Sequence, residues 1–429
     1  MSGPSSSASL SEAPVAIENV TVQGTARHVA RPCSEADLTE LLAFLRGELR
    51  AGRIAGATPI GSGSRVARHH PTRWSAHESE IPQVWIDMTA LVPANGSGIL
   101  EYVPGDGTLT AQAGADMGAL RAAVAEGGHR ITPASPGQGT TLGGLLASGD
   151  SSLDRCAFGP TRHHVLGMRI QDASGRGPTR SGGRLVKNVT GFDLHRLHAG
   201  SRGTLGAILE ASLRLVPIPE AETLLVSKVH STATQAADSA LELRRLPSLH
   251  PRAIFIVERR VHLVLSGRAR QVEAESAAAR SSMNVEHSIE GPSALEEALG
   301  RGERSGVLRL ATAPSRLSAV LAALGEISAI TGDQLAIEPD AALVDIVGVD
   351  LEALDAPSLF AGLARLDASA FHLSLLDPTV QGAPGWSAAL RERQAPPAAI
   401  ERWSQRLAES FDPDGLLRSP DFPAFQPAR

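Results

Sequence analysis

Cysteine is nearly missing from this chain. Cys33 and Cys156 are the two in 429 residues, too few for a disulfide framework, a four-cysteine zinc site or an iron–sulfur cluster. Two free thiols in a reducing compartment are expected. Long apolar runs are missing as well: none reaches the ~18 residues that a membrane-spanning helix needs. No block of like charge stands out, and 40 basic against 46 acidic residues give a net charge of −6, which offers no support for nucleic-acid binding. Lysine occurs only at Lys187 and Lys228, so arginine supplies 40 − 2 = 38 of the basic residues. Aromatics make up 3%, with Tyr102 the single tyrosine. The common catalytic signatures are absent too: no GxxxxGK[ST] phosphate loop, no GxSxG elbow and no HExxH. His69-His70 and His163-His164 are adjacent pairs, the wrong spacing for two ligands on one helix face, and no metal site is expected.

Glycine is plentiful, at 42 residues. With 42% hydrophobic and 20% charged residues, the composition is that of a globular protein and excludes wholesale disorder, collagen and coiled-coil arrays. The length suggests two or three domains. Residues 1–13 are small and polar, without the basic and apolar regions of a signal peptide, and read as a disordered tail of a cytoplasmic protein. Ser34 followed by Asp37 starts a helix over about 35–50, with Leu38, Leu41, Leu42 and Leu45 on one face. ATPIGSGSR reads as a short strand running into a Gly/Ser turn. QVWIDMTAL, LEYVPG and TLTAQAG read as strands, and ADMGALRAAVAEGG as a helix closed by Gly127-Gly128. A strand from about 206 to 216 ends at Pro217 and Pro219, which mark a boundary. Beyond 220, strand and helix patterns alternate in split βαβ units, an α+β layer that can be duplicated. After a Pro-rich linker, Ile400, Trp403 and Leu407 share a face of one more helix, 398–410. The expected division is 1–13, 14–219, 220–395 and 396–429, with the last segment returning to the first domain.

Three glycine clusters carry the chemistry. In Gly61-Ser62-Gly63-Ser64-Arg65, Val66 stands at the third glycine position of GxGxxG, and no acid follows at the spacing a nicotinamide fold needs. The cluster is either a plain tight turn or a nest whose successive N–H groups hold a diphosphate. The second is Thr140-Thr141-Leu142-Gly143-Gly144-Leu145-Leu146-Ala147-Ser148-Gly149, whose small residues let backbone approach a flat or charged ligand. A helix N-terminus there would add its dipole to an anion. The third, Gly203-Thr204-Leu205-Gly206, precedes the β-run that carries Ile208.

In that order, and joined by Gly182-Gly183-Arg184-Leu185-Val186-Lys187-Asn188-Val189-Thr190-Gly191-Phe192-Asp193-Leu194, these clusters resemble the FAD-binding domain of the vanillyl-alcohol oxidase / p-cresol methylhydroxylase superfamily. The GGRxVKNVxGxDL run resembles in particular the FAD-binding subunits of glycolate oxidases, and the likeness extends over roughly residues 15–420, to Phe411-Asp412-Pro413-Asp414-Gly415. It implies an α+β fold: a PCMH-type FAD-binding domain with a smaller, ferredoxin-like α+β cap. It implies FAD held by Gly61, Ser62, Gly63, Ser64, Arg65, Thr140, Thr141, Gly143, Gly144, Ala147, Ser148, Gly149, Gly203, Gly206 and Ile208. Members that attach flavin covalently use a histidine in the first loop; Ser64 and Arg65 stand there, so the FAD is expected to be non-covalent.

The implied activity is that of an FAD-dependent oxidoreductase subunit acting on glycolate or a related small 2-hydroxy acid. Its partners would be a catalytic flavoprotein subunit and an iron–sulfur subunit, since this chain has no cysteine set for a cluster. The expected location is cytoplasmic, with those partners as the route to the inner-membrane surface. Departures from the pattern keep a second reading open, a non-catalytic flavin-holding subunit, and a third, a stand-alone FAD-dependent oxidase. Phe192 replaces the tyrosine of GYDL, Leu416-Leu417-Arg418-Ser419-Pro420 replaces an NPGR-like run, and the family's histidine-rich metal motif is not apparent between 220 and 395. No general base and no substrate-carboxylate clamp can be singled out among so many arginines.

Overall fold

The computed structural model describes residues 10–22, 25–64, 81–94, 96–132, 139–149, 152–183, 192–291, 306–348, 354, 356–363, 371–375 and 398–417. Strands β1 (Ile17–Val22) and β2 (Thr25–Ala30) form an antiparallel hairpin. Helix α1 (Glu35–Arg50) then crosses over to β3 (Gly56–Ile60), and β4 (Gln83–Asp87) inserts parallel to both β2 and β3, giving the order β1-β2-β4-β3. The start of α1 is set by its sequence: Ser34 Oγ accepts from Asp37 N at 3.1 Å, and Asp37 accepts from Cys33 N at 3.0 Å. This reciprocal capping satisfies donors that the first turn leaves open. Leu38, Leu41, Leu42 and Leu45 recur at helical spacing and are buried with Ala57, Val84 and Ile86. Leu10 joins the same core at 5% exposure, so the chain is packed from within the segment expected to be a disordered tail.

The second sheet is antiparallel, in the order β5-β6-β10-β8-β9. Its strands are β5 (Ile99–Val103), β6 (Thr108–Gln112), β8 (Val165–Gln171), β9 (Thr179–Gly182) and β10 (Ala207–Arg214). Outside it, β7 (His129–Arg130) pairs with β11 (Val216–Pro217). Helices α2 (Met117–Glu126) and α3 (Leu142–Ser148) bury Met117, Leu120, Val124, Leu142, Leu145 and Leu146 with the strand residues Leu109, Ala111, Met168 and Ala211. Two short helices follow, α4 (Arg155–Phe158) and α5 (Leu194–His198).

Beyond residue 220 two units follow the same order of elements. The first unit runs β12 (Ala221–Ser227), α6 (Ala233–Arg245), β13 (Ala253–Val257), β14 (Arg260–Gly267), α7 (Ala269–Ser282) and β15 (Val285–Glu290). The second repeats the order with β16 (Gly306–Thr312), α8 (Leu317–Gly325), β17 (Leu335–Glu338), β18 (Leu343–Val347), α9 (Ala356–Leu363) and β19 (Phe371–Leu375). Each is a split βαβ of ferredoxin-like topology. They fuse edge to edge through β13–β17 into one eight-stranded sheet, β15-β12-β14-β13-β17-β18-β16-β19. One face of this sheet is buried with the helices, through Ile254, Ile256, Leu310, Ile337 and Ile346. The other carries Phe255, Val257 and Val264, against which Leu153 of the preceding unit packs.

A buried ion network joins the two parts. Arg252 donates to Asp154 at 2.6 Å and to Glu222, and Arg130 donates to Glu222 at 3.0 Å. The last described element, α10 (Ala398–Phe411), leads back to the first sheet. Phe411 O accepts from Ala173 N at 3.2 Å, Ala57 N donates to Leu416 O at 2.7 Å, and Arg50 grips Asp414 with bonds of 3.0 and 2.9 Å. The buried Asp412 carboxylate accepts from the amides of Leu416 and Leu417 at 2.9 and 2.6 Å, folding residues 412–417 into a hook. Among the described residues no helix is long and apolar enough to cross a membrane.

Candidate functional site

The first glycine cluster is the turn that leaves β3. Gly63 sits at φ +76°, with open space where a Cβ would stand. Such a left-handed residue within a short turn points neighbouring N–H groups into one concavity. No amide of Gly61, Ser62, Gly63 or Ser64 donates to an acceptor among the described residues. Ser62 Oγ donates to Gly139 O, which ties the turn to the second cluster. Gly61 is required by the same closeness: a Cβ there would fall 2.0 Å from Thr141 Oγ1.

In the second cluster the amides that open the helix are already used. Thr141 caps α3, its Oγ1 accepting from Gly144 N at 3.1 Å. Leu142 N donates to Ala115 O at 3.0 Å, and Gly143 N to Ala113 O at 2.7 Å. The start of α3 therefore spends its amides inside the chain. Thr140 is buried and its carbonyl accepts from Met117 N at 2.8 Å. Gly143 is there for packing, since a Cβ would lie 2.8 Å from Ala113 Cβ. A Cβ on Gly144 would meet only the Thr141 hydroxyl, at 3.0 Å. Ser148 Oγ bonds back to Leu145 O at 3.0 Å, and Gly149 closes the helix at φ +67°.

The third cluster packs on the other end of α3. Arg202 N donates to Ala147 O at 2.8 Å, Gly200 N to Leu146 O at 2.9 Å, and a Cβ on Gly149 would stand 2.9 Å from Gly200 Cα. Gly203, at φ +80°, lies against Pro59, the residue before the end of β3. Gly206 lets the chain enter β10 close to β8: its Cβ would be 2.7 Å from Ile170 Cγ2 and 3.0 Å from Gln171 O. Ile208 is buried opposite Ile170. The three clusters thus close a ring: Pro59 and Gly61, Thr141, the two ends of α3, then Gly200 to Gly203 and back to Pro59. Arg65, His69, His70, Lys187 and Asn188 lie outside the described residues, as do 376–397 of the expected linker. Phe192 is exposed.

Beneath the third cluster are groups that sequence reasoning missed. Gln171 Oε1, His198 Nδ1 and Ser201 Oγ are buried without a hydrogen-bond partner among the described residues. His198 packs edge-on to Phe411 at 5.2 Å between ring centres. Burial depresses its pKa to about 4, against the opposing pull of Asp172, with His195 adding to the depression. The ring is neutral at pH 7. Ser201 sits between the quoted motifs and had a sequence signal of position only; Gln171 and His198 had none. Burial, then the hydrogen bond and charge of Asp340, push the Cys156 thiol well up, which disfavours the thiolate.

Amides at a glycine turn that meet no acceptor among the described residues suit a diphosphate, and small residues along the described rim suit a dinucleotide laid across it. Residues 26–177 match the family model described as FAD binding domain. Glycolate oxidase subunit GlcE of Escherichia coli (strain K12) is 34% identical over 152 residues, 35% of this chain and 43% of that protein. Glycolate oxidase subunit GlcD of Bacillus subtilis (strain 168) is 35% identical over 111 residues, 25% of this chain and 23% of its own length. A mitochondrial D-lactate dehydrogenase [cytochrome] of Arabidopsis thaliana is 35% identical over 109 residues, 25% and 19% of the two chains. The matched segments span less than half the length of these relatives. A solved alkyldihydroxyacetonephosphate synthase superposes on 92% of this chain and 76% of its own, with a TM-score of 0.57 and 15% identity, a likeness of fold. Residues 26–177 of this chain therefore form an FAD binding domain of the p-cresol methylhydroxylase type, and FAD is its cofactor.

Proposed function

We propose that this chain is the FAD-binding subunit of an oxidoreductase that acts on glycolate or a related small 2-hydroxy acid. In this reading it works beside a catalytic flavoprotein subunit and an iron–sulfur subunit. The observation that carries the reading is the row of amides from Gly61 to Ser64, without acceptors among the described residues, on a ring shared with Thr141 and Gly203. GlcE and GlcD, two of the similar proteins, are both subunits by name.

The residues divide the work by what they still have to offer. The amides of Gly61, Ser62, Gly63 and Ser64 hold the diphosphate, and Arg65 adds its charge. Thr140, Thr141, Gly143 and Gly144 keep the facing wall low, so that backbone can lie close to the cofactor. Ala147, Ser148 and Gly149 carry the wall to Gly203, Gly206 and Ile208. Buried Gln171, His198 and Ser201 offer hydrogen bonds to the polar parts of the nucleotide. Ser64 and Arg65 stand where covalently flavinylated proteins of this kind carry a histidine, so in this reading the cofactor is exchangeable. Bound FAD supplies a two-electron acceptor that releases electrons singly, and the protein positions and tunes it. With two cysteines in the chain, an iron–sulfur centre that took up those electrons would have to be held by a partner.

The test is an anaerobic absorbance titration with glycolate, on the chain alone and on the assembled complex. Bleaching of the flavin in the complex supports the reading. A flavin that stays oxidised in both, with every partner present, would contradict it.

A further inference from the structure

The chain on both sides of the second glycine cluster is held from the eight-stranded sheet. Before the cluster, Arg130 of β7 donates to Glu222 of β12 at 3.0 Å. After it, Asp154 stands at the N-cap of α4 and accepts from Arg252 in a fork of 2.6 and 3.4 Å. Arg252 also donates to Glu222, so one cap carboxylate and one cap arginine close a circuit over both limbs. The same two limbs are tied to each other within the flavin domain. The Arg130 guanidinium lies over the Phe158 ring, 5.4 Å from its centre, and Phe158 N donates to Asp154 O at 2.9 Å. His164 bonds to Phe158 O at 3.0 Å and to the Thr132 hydroxyl at 3.1 Å.

Other contacts across this seam have little directionality. Leu153 packs on the apolar face of the sheet, and the Cys156 thiol bonds weakly to Pro251 O at 3.5 Å. The forked pair of Arg252 with Asp154 is directional and fixes where the second limb lies. The pair of Arg130 with Glu222 does the same for the first limb. That pair is buried, the Glu222 side chain being 1% exposed. It is also incompletely compensated: Glu222 Oε2 and Arg130 Nε are buried without a hydrogen bond among the described residues. Such a pair is held together by the docking around it more than it holds that docking together. The spacing of the limbs therefore follows how closely the cap sits.

We propose that Glu222 and Arg252 are positioning residues of the flavin site: from the cap, they set the spacing of the two limbs that carry the second glycine cluster. They thereby set the wall that faces the amide-bearing turn after β3. This assignment rests on the reading of the second cluster as a wall of the FAD site. The coupling is reciprocal by linkage. A closely docked cap raises FAD affinity by holding the wall in place, and bound FAD tightens the seam by the same factor.

The test combines FAD titration with hydrogen–deuterium exchange on the full chain, flavin-free and flavin-loaded. In wild type, FAD should slow exchange in α3 and, across the seam, in β12 and residues 252–257. Glu222→Gln keeps the side chain's shape and removes its charge; it should weaken FAD binding about tenfold and abolish the protection of β12. Glu275→Gln is the control. Its carboxylate is equally buried but bonds only within the cap, to His250 and Gln271, so it should lower Tm and leave FAD affinity unchanged. Should Glu222→Gln fail to fold, Arg252→Lys keeps the charge, loses the fork and should weaken FAD binding in smaller degree. FAD affinity unchanged in the seam variant, or reduced no more than in Glu275→Gln, overturns the proposal. So does FAD that protects α3 in wild type and leaves β12 unprotected. FAD that protects neither region overturns the placement of the cofactor on this wall, and the proposal with it.

Discussion

Gly61 and Gly143 look alike in the sequence and differ in what they spend. At Gly61 an added methyl would strike Thr141 Oγ1 at 2.0 Å, at the point where the amide-bearing turn meets the facing wall. Gly61→Ala should therefore push the turn off Thr141 and weaken FAD binding about tenfold, about 1.4 kcal/mol, with little effect on melting of the flavin-free protein. Fluorescence titration of apoprotein with FAD measures this. Gly143→Asp should cost fold stability before it affects the cofactor, because its side chain meets Ala113; a lowered Tm of the apoprotein is the expected sign. His198 makes a pH prediction. Its neutral form is favoured by folding, so its contribution is complete above the unfolded value near 6.5 and is lost as pH falls through about 4. The loss is on the order of 3 kcal/mol. Urea unfolding at pH 7 and pH 4 should show this difference in wild type and a smaller one in His198→Gln. Glycine positions were legible because turns and close approaches demand them. Gln171 and His198 were not, because a buried polar side chain within apolar periodicity leaves no trace of what it faces.

The elements were easier to read than their joining. Ser34, Asp37 and the leucines of α1 announce a capped, one-faced helix, and the alternation beyond residue 220 announces split βαβ units. The pairing of β13 with β17, which makes one sheet of two units, is a contact between residues about eighty apart, and periodicity carries no such information. The ion network of Asp154, Arg252, Glu222 and Arg130 was equally hidden, as arginine is common throughout the chain. Removing its centre leaves two carboxylates buried without their main partner. Arg252→Met should cost about 3–5 kcal/mol, read as a lowered Tm with earlier protease cleavage at the seam. Unchanged stability would mean that water already reaches these groups.

At the scale of the whole molecule, the segment that follows α10 completes the first core. Leu416 and Leu417 are buried with Leu38, Ala57 and Leu10, and each buried leucine contributes about 2 kcal/mol. A chain ended at residue 397 should lose this packing and the Asp412 hook, and so lose flavin together with thermal stability. Full flavin occupancy in that truncation would argue that the return is ornamental. The expected return of the last helix to the first domain came from its apolar face after a Pro-rich stretch; the hydrogen bonds that anchor it are on Ala57 and Ala173, positions with no sequence signal. The proposed reading has the turn after β3 hold FAD without a covalent link. Acid precipitation of the purified protein tests it most directly: intact FAD, identified by chromatography, is expected in the supernatant, whereas flavin that stays with the pellet, or none at all, would contradict the account.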